Sequence, residues 1–466
     1  MEFGHQLNRA SLIAVKEAGL IDAETAQRIA SSLAKIEAEF AGRYTSIVLF
    51  VRDYPALENR LVELAGSNAS LLHLGRSRQD MISACVHAAA RDTLRHTLTS
   101  IVRLREAVLK VAENNVETLI PAYTHGVQAQ PTTYAHYLLA MDECFSRTAE
   151  RLIQSHKRLN QCPLGAGALT TSSFKLDREL LASLLGFEGI VENSLSANQV
   201  SPVEALLETS QLLAMLATQI GQWAQDIHQT YSNSRSWFRL DPGELTSTSS
   251  MMPQKRNPRV LELMREFGGR IIGKASGLMA IAHNLQSGMT EIRWSVDLIP
   301  DAETQQMLDL ATKMVASLRV DAKRALEEIN REYSTATELA DTLYRTARVP
   351  FRIGHHFASK LTDFGRERGL SPTEINIEDA AKLYAELNDQ ASFPLSESEF
   401  RESLHPQAFV ASRAGTGGPQ RDEVVRMLSK HQKDLEQNAS MLGAIDKDAE
   451  AAVSALSQRF ERIIKS

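Results

Sequence analysis

The chain has 466 residues, 43% of them hydrophobic and 23% charged, with a formal net charge of −6. This composition supports a core of ordinary size and excludes a chain too polar to fold. The acidic balance argues against a general binder of nucleic acid or anionic membrane, which needs a basic face, but it leaves room for a local basic pocket.

Taken as a soft prior, the length suggests about three domains. The opening Met1-Glu2-Phe3-Gly4-His5 lacks a basic-then-apolar leader pattern. No apolar run approaches the roughly 18 residues of a membrane span. A cytoplasmic location, with no membrane and no nucleic-acid partner, is therefore expected. Cys85, Cys144 and Cys162 are an odd set without CxxC spacing. They read as free thiols in a reducing compartment, not as a disulfide framework or a zinc site.

In chain order, Leu7–Ala18 and Ala23–Phe40 read as short helices. Between them Gly19-Leu20-Ile21-Asp22 supplies a glycine stop and then an Asp cap. Five long helical windows follow, at 79–116, 131–160, 203–231, 257–286 and 303–330. In the third, Val203, Leu206, Leu207, Leu213, Leu216, Ile220, Trp223 and Ile227 form a wide apolar stripe on a 3.6-residue period. About 28 residues at about 1.5 Å each make a rod of roughly 40 Å. Several such rods predict a long bundle, because each needs a neighbour along its length. Strand-like alternation is scarce, and the last stretch reads as shorter helices with more Pro and Gly. The expected fold is all-α, with an N-terminal helical domain (1–76), a central long-helix bundle (77–330) and a C-terminal helical domain (331–466).

Three polar clusters interrupt the apolar pattern, each just before a long helix. They are His73 to Asp80, Tyr123 to Pro131, and Thr246 to Pro258. A helix N-terminus presents unpaired N–H groups and about half a positive charge, so it suits an anion. Pro131 and Pro258 fit a first helical turn, where a missing N–H costs little. With Ser77, Arg78, Thr124 and Lys255 added, such ends suit carboxylates. If the helices pack together, the three ends could meet on one dicarboxylate. Taken singly, each cluster also has a plain structural reading: a solvated cap at 76–80, a mobile turn at 246–250, a structural histidine at His125.

Together the clusters resemble a known family. Ser249-Ser250-Met251-Met252-Pro253-Gln254-Lys255-Arg256-Asn257-Pro258 is similar to the SSxMPxKxNP motif of the fumarase/aspartase superfamily. Within it the chain looks most like argininosuccinate lyase. Arg76-Ser77-Arg78-Gln79-Asp80 resembles that family's RSRND, and Tyr123-Thr124-His125 with Ala129-Gln130-Pro131 resembles its YTHxQxAQP. Pro163 to Leu169, Asp177 to Leu180, Asn193 to Leu195, Ser334 to Asp341 and Pro350 to Arg352 also match, so the likeness covers nearly the whole chain.

The resemblance implies a fumarase/aspartase-like three-domain fold with a twenty-helix core in a homotetramer, its active sites shared between subunits. It implies anti elimination of an amine from an N-succinyl group, releasing fumarate, with no cofactor and no metal. Ser249 then matches the general base, workable as an alkoxide only if N–H groups and Lys255 hold its charge. Lys255 and Asn257 match the groups that stabilise the aci-carboxylate. His125 matches the residue near the leaving amine or a substrate carboxylate, and Glu262 the carboxylate that pairs with it. The stretch from Gly243 to Ser250 has the composition of a lid. Ser77, Arg78, Gln79, Thr124, Ser250, Met252 and Trp294 are the expected substrate-binding residues.

Departures from the family pattern concern the amine half. Gln79 replaces Asn, and Val127 stands at the Gln of THxQ. Trp294, Ile299 and Ala302 fall where the family carries Tyr, Gln and Lys, and Gln199-Val200-Ser201-Pro202 falls at its SDRD. Gly4 and Asn8 fall where an Asp and a Ser grip the arginine end. A site that loses such partners leaves polar groups of the usual substrate unpaired. The expectation is a lyase for an N-succinyl amine or aminopolycarboxylate other than argininosuccinate. Alternatives are argininosuccinate lyase proper, a member performing a related elimination or cycloisomerisation, and a catalytically silent structural paralogue.

Overall fold

A computed structural model describes residues 2–42, 46–232, 236–289 and 291–466. The chain opens with α1 (Glu2–Glu17), α2 (Ala23–Glu39), α3 (Ile47–Arg52) and α4 (Tyr54–Ala65). As expected, Gly19 takes a left-handed φ of 69° after α1, and Asp22 caps α2 by accepting the Thr25 N–H at 2.7 Å. These helices enclose a first apolar core with Leu12, Ile29, Phe50 and Leu61.

The centre is built on α5 (Arg78–Glu113), α6 (Tyr134–Leu159), α7 (Arg178–Leu184), α8 (Ser194–Gln199), α9 (Ser201–Tyr231), α10 (Arg259–Ala282) and α11 (Asp301–Ser317). The five long ones, α5, α6, α9, α10 and α11, share one apolar core. On α9 the expected stripe faces it: Leu206, Leu213, Leu216, Ile220, Trp223 and Ile227 are buried, and Val203 and Leu207 lie partly buried at its edge. After α11 come α12 (Ala322–Arg331), α13 (Ala336–Ala347), α14 (Phe351–Glu367), α15 (Ile377–Leu387), α16 (Glu397–Leu404), α17 (Pro406–Ala411) and α18 (Arg421–Lys465). The helices α13 to α16 surround a smaller core of Leu339, Leu343, Phe357, Leu361 and Phe400. The fold is all-α. None of the described helices is long and apolar enough to cross a membrane.

Three expectations are corrected. The fifth window breaks at Leu318–Val320, a strand that pairs with Phe238–Leu240 and separates α11 from α12. Pro131 lies in a strand and not in a helix, with α6 starting three residues later behind its Thr133 cap. The final stretch is not only short helices, for α18 runs 45 residues, roughly 65 Å. It lies against α5 and α6 and reaches back to α1, α2 and α7. Leu456, Phe460 and Ile463 at its end join the N-terminal core. We propose to keep the division into 1–76, 77–330 and 331–466, with α18 as a strap returning from the last part across the other two.

Strands are few and short. Among the described residues they form four two-stranded sheets. Two of them carry polar clusters: β1 (Leu119–Thr124) with β2 (Val127–Thr133), and a smaller pair, Ser247–Thr248 with Arg256–Asn257.

Candidate active site

The first cluster starts α5. Ser77 caps the helix by accepting the Gln79 N–H at 3.2 Å, and Asp80 returns to the Ser77 N–H at 2.9 Å, completing a capping box. The other oxygen of Asp80 accepts the N–H groups of Gly165 (2.9 Å) and Gly167 (3.0 Å). Asp80 thus fastens the turn at 163–169 to the head of α5. Burial pushes its carboxyl up to about 6, against those three N–H donors, which favour the charged form. Arg76 turns inward to Asn8 Oδ1 (3.0 Å), Ser11 Oγ (3.0 Å) and the Tyr54 hydroxyl. Arg78 points outward and is exposed. The Gln79 side-chain oxygen is buried and has no donor among the described residues.

The second cluster is the tip of the β1–β2 hairpin. His125 (φ 54°) and Gly126 (φ 75°) are both left-handed, the pair a tight two-residue hairpin turn requires. Thr124 and His125 are exposed. The hairpin is tied down at its flank: Gln128 Nε2 donates to Ile329 O and Ser334 Oγ, both at 3.2 Å, and Gln130 Nε2 donates to Thr337 Oγ1 at 3.4 Å. The Ser334 to Asp341 stretch, singled out from sequence without a role, in part serves this fastening.

In the third cluster, Ser247 pairs with Asn257 and Thr248 with Arg256, so 249–255 is the loop of a small hairpin just before α10. Asn257 Nδ2 donates to Ser247 Oγ at 3.3 Å. Ser249 Oγ accepts two backbone N–H groups, from Met251 (3.3 Å) and Met252 (3.0 Å). Ser250, Met252 and Lys255 are exposed on the same loop, and Lys255 has no acidic partner among the described residues. Pro258 caps α10, one residue outside the helix.

The three clusters do not meet within one chain. The first opens α5 and the second follows its far end, 36 residues and about 50 Å away. The third shares the second's end. Trp237 Nε1 donates to the Tyr123 hydroxyl at 3.4 Å, and Arg265 near the start of α10 reaches Gln225 and His228 near the end of α9, at 2.7 and 2.6 Å. Among the described residues no hydrogen bond or ion pair joins His125 to Glu262. The histidine near Glu262 in the same chain is His228, whose pKa is lowered by burial and Arg265 and raised by Glu262. Sequence reasoning had no signal for that neighbour.

The amine-half positions are informative. A side chain at Gly4 would lie 2.6 Å from the Phe50 ring. Asn8 is 1% exposed, and its oxygen is taken by Tyr54 and Arg76. Neither can reach a ligand from this arrangement. Trp294 lies between the N-terminal and central cores with the Arg52 guanidinium 5.0 Å from its ring. Arg52 was not singled out from sequence, because a lone arginine in an apolar stretch carries no pattern. Ile299 is buried and Val127 is 68% exposed, so neither presents the family's polar side chain.

A lyase family model matches residues 6–273, and an argininosuccinate lyase C-terminal model matches 333–411. The chain belongs to the argininosuccinate lyase-like branch of the fumarase/aspartase superfamily. It is 32% identical over 456 residues to the argininosuccinate lyase of Methanosarcina acetivorans, covering 96% of this chain and 90% of that one. Against the Geobacillus thermodenitrificans argininosuccinate lyase it is 33% identical over 429 residues, covering 89% and 88%. Among solved structures, EDDS lyase in complex with formate superposes with a TM-score of 0.90 at 26% identity, covering 100% of this chain and 92% of that one. The 3-carboxy-cis,cis-muconate lactonizing enzyme of Pseudomonas putida shares the fold, with a TM-score of 0.71 at 19% identity, covering 93% and 95%. The chain is a lyase of this superfamily.

Proposed function

We propose that this carbon–nitrogen lyase releases fumarate from an N-succinyl substrate whose amine half is not that of argininosuccinate. The observation that carries the chemistry is the pair of N–H groups on Ser249 Oγ, on the same exposed loop as Lys255, which has no acidic partner among the described residues. Two fixed donors and a nearby ammonium lower the cost of a serine alkoxide, which makes Ser249 a usable base. Ser249 takes the proton from the carbon next to the carboxylate, leaving an aci-carboxylate. Lys255 and Asn257 stabilise that charge, which grows only in the transition state. His125, turned outward at its hairpin tip, faces the leaving nitrogen or the second carboxylate. Ser77, Arg78 and Thr124 hold the succinyl half, with Gln79, Ser250, Met252 and Trp294 completing the binding surface.

For these groups to act together, they must come from different copies of the chain, because α5 holds two of the clusters about 50 Å apart. A cytoplasmic homotetramer with shared sites satisfies this. One bundle face favours it: Gly269, Gly273 and Gly277 on α10 have open space where a side chain would be, and Ile272 and Met279 beside them are 39% and 52% exposed. A face of small and apolar residues suits close packing of another helix. Glu262, exposed near the start of α10, is then available to His125 of another copy.

Altered amine specificity is supported by the buried Asn8, by Phe50 beside Gly4 and by Trp294 under Arg52. Argininosuccinate lyase proper is the second reading, favoured by the names of the relatives at 32% and 33% identity. The deciding experiment follows fumarate absorbance with argininosuccinate and a panel of N-succinyl amines and aminopolycarboxylates. A panel member turned over at least ten times faster in kcat/KM than argininosuccinate, about 1.4 kcal/mol of discrimination, supports the first reading. Activity confined to argininosuccinate overturns it.

A further inference from the structure

A cavity lies between the α13–α14 corner and the loop that leads into α18. Its volume is about 790 Å³, within the range of small-molecule sites. Arg345, Arg348 and Arg413 line it with Asp341, Tyr344 and Phe351, and the segment Ala414–Pro419 closes one side.

The charges do not balance. Arg345 donates to Glu338 at 2.6 Å, and Arg413 pairs with the same buried carboxylate and lies 3.9 Å from Asp341. Three guanidinium groups thus face two carboxylates. Arg348 is the surplus cation: its guanidinium sits 5.4 Å from the Tyr344 ring centre, and it has no carboxylate partner among the described residues. It also ends α13 in the left-handed region, at φ 55°. Glycine or asparagine fits that position with less strain. An arginine at a strained cap adds to the case for a use of its side chain.

The rest of the cavity is preformed and partly apolar. Tyr344 and Phe351 are 50% and 58% exposed. The glycine loop is held by its own bonds: Gly417 N–H donates to Glu423 (2.8 Å), Gln420 Nε2 to Gly415 O (2.8 Å), and Gly417 O faces His136 Nε2 (2.9 Å). A pocket combining a planar cation that rests on Tyr344 and has no carboxylate partner among the described residues with the half-exposed rings of Tyr344 and Phe351 suits an anionic group on a flat apolar body.

We propose that this groove is a second ligand site, taking a small organic oxyanion whose charged group bonds Arg348 beside Arg345 and whose flat body lies on Tyr344 and Phe351. Carboxylate and phosphate share this chemistry, so the probes separate them. Calorimetric titration of the full chain with benzoate, phenyl phosphate and inorganic phosphate tests the site. Saturable binding of benzoate or phenyl phosphate is expected, weakened at least about tenfold in Arg348→Gly and in Phe351→Ala. Arg348→Gly relieves the left-handed cap, so it should melt no lower than the parent and keep its fumarate release. Arg78→Ala, which removes a group that holds the succinyl half in the proposed reaction, should bind these probes as the parent does, which separates this groove from the lyase site. The proposal is overturned if neither aromatic anion binds saturably, if both groove variants bind as the parent does, if inorganic phosphate binds as tightly as phenyl phosphate, or if Arg78→Ala abolishes binding.

Discussion

At the residue scale, Ser249 and Lys255 carry the sharpest expectations. Ser249→Ala keeps the loop but removes the hydroxyl that accepts the Met251 and Met252 N–H groups. In the proposed reaction it lowers kcat by about 10²–10⁴-fold with little change in substrate affinity. Steady-state kinetics beside calorimetric binding of substrate checks this, and a variant with parental kcat removes Ser249 as base. Lys255→Met should cost about 10²–10³ in kcat, as expected for one donor to a developing oxyanion. Titratable residues elsewhere set the acid limit of the fold. Burial lowers His87 and His156 from 6.5 to about 4, and burial with Arg76 lowers His73 to about 3. A base whose folded pKa is depressed binds fewer protons folded than unfolded. Its contribution is therefore intact above about 6.5 and is lost as pH falls towards 4. Asp80 works the other way, since its raised pKa makes stability fall as pH rises from 3.8 to about 6. Three histidines outweigh one carboxyl, so urea midpoints should drop between pH about 6.5 and about 4. A midpoint flat across that window would show that these histidines do not govern acid lability.

At the element scale, α18 is held to the bundle by a buried polar knot. Arg105 on α5 makes two bonds to Asp142 on α6, at 2.9 and 3.0 Å, and a third to Asn438 on α18 at 2.7 Å. His431 of α18 meets the same Asp142 at 2.8 Å. Both ion-pair partners are fully buried. Asp142→Leu leaves Arg105 charged and unpaired, which should cost about 3–5 kcal/mol in chemical denaturation. The paired change Arg105→Met with Asp142→Leu should recover most of that loss, and no recovery would mean that packing, not charge, holds the joint.

This knot also shows where the sequence was legible and where it was not. The α9 stripe is dense enough to give the helix, its length and its buried face. Over 421–465 only seven residues are buried, among them Val424, Leu428, Leu442, Leu456, Phe460 and Ile463. Such a sparse stripe, partly replaced by polar contacts, carries too little periodic signal to reveal a long helix. Pro131 misled for a related reason: its missing N–H suits a strand that lacks a partner on that side as well as a helix start. The candidate site residues were legible as motifs, because their order along the chain is itself a pattern. Their spacing in space was not, since a 36-residue helix can join two clusters or hold them apart.

At the scale of the whole molecule, the open glycine face of α10 separates folding from assembly. Gly273 has nothing within 4 Å of where a side chain would sit, so Gly273→Leu fits the lone chain and should improve helix propensity by up to about 1 kcal/mol. In the proposed tetramer that side chain intrudes between helices. The expected outcome is a helical, cooperatively melting protein of smaller mass by light scattering, with fumarate release lost. A Gly273→Leu tetramer with parental activity would move the interface elsewhere.

The strap formed by α18 has a consequence for biosynthesis. The N-terminal core needs Leu456, Phe460 and Ile463, and Gln27 on α2 donates to Ile464 O at 3.1 Å. Helices α1 to α4 therefore wait for residues translated after the whole central bundle before their apolar surface is covered. A nascent chain stays incompletely closed around this core until α18 has emerged, and chaperones that shield α1 to α4 have their longest opportunity in that interval.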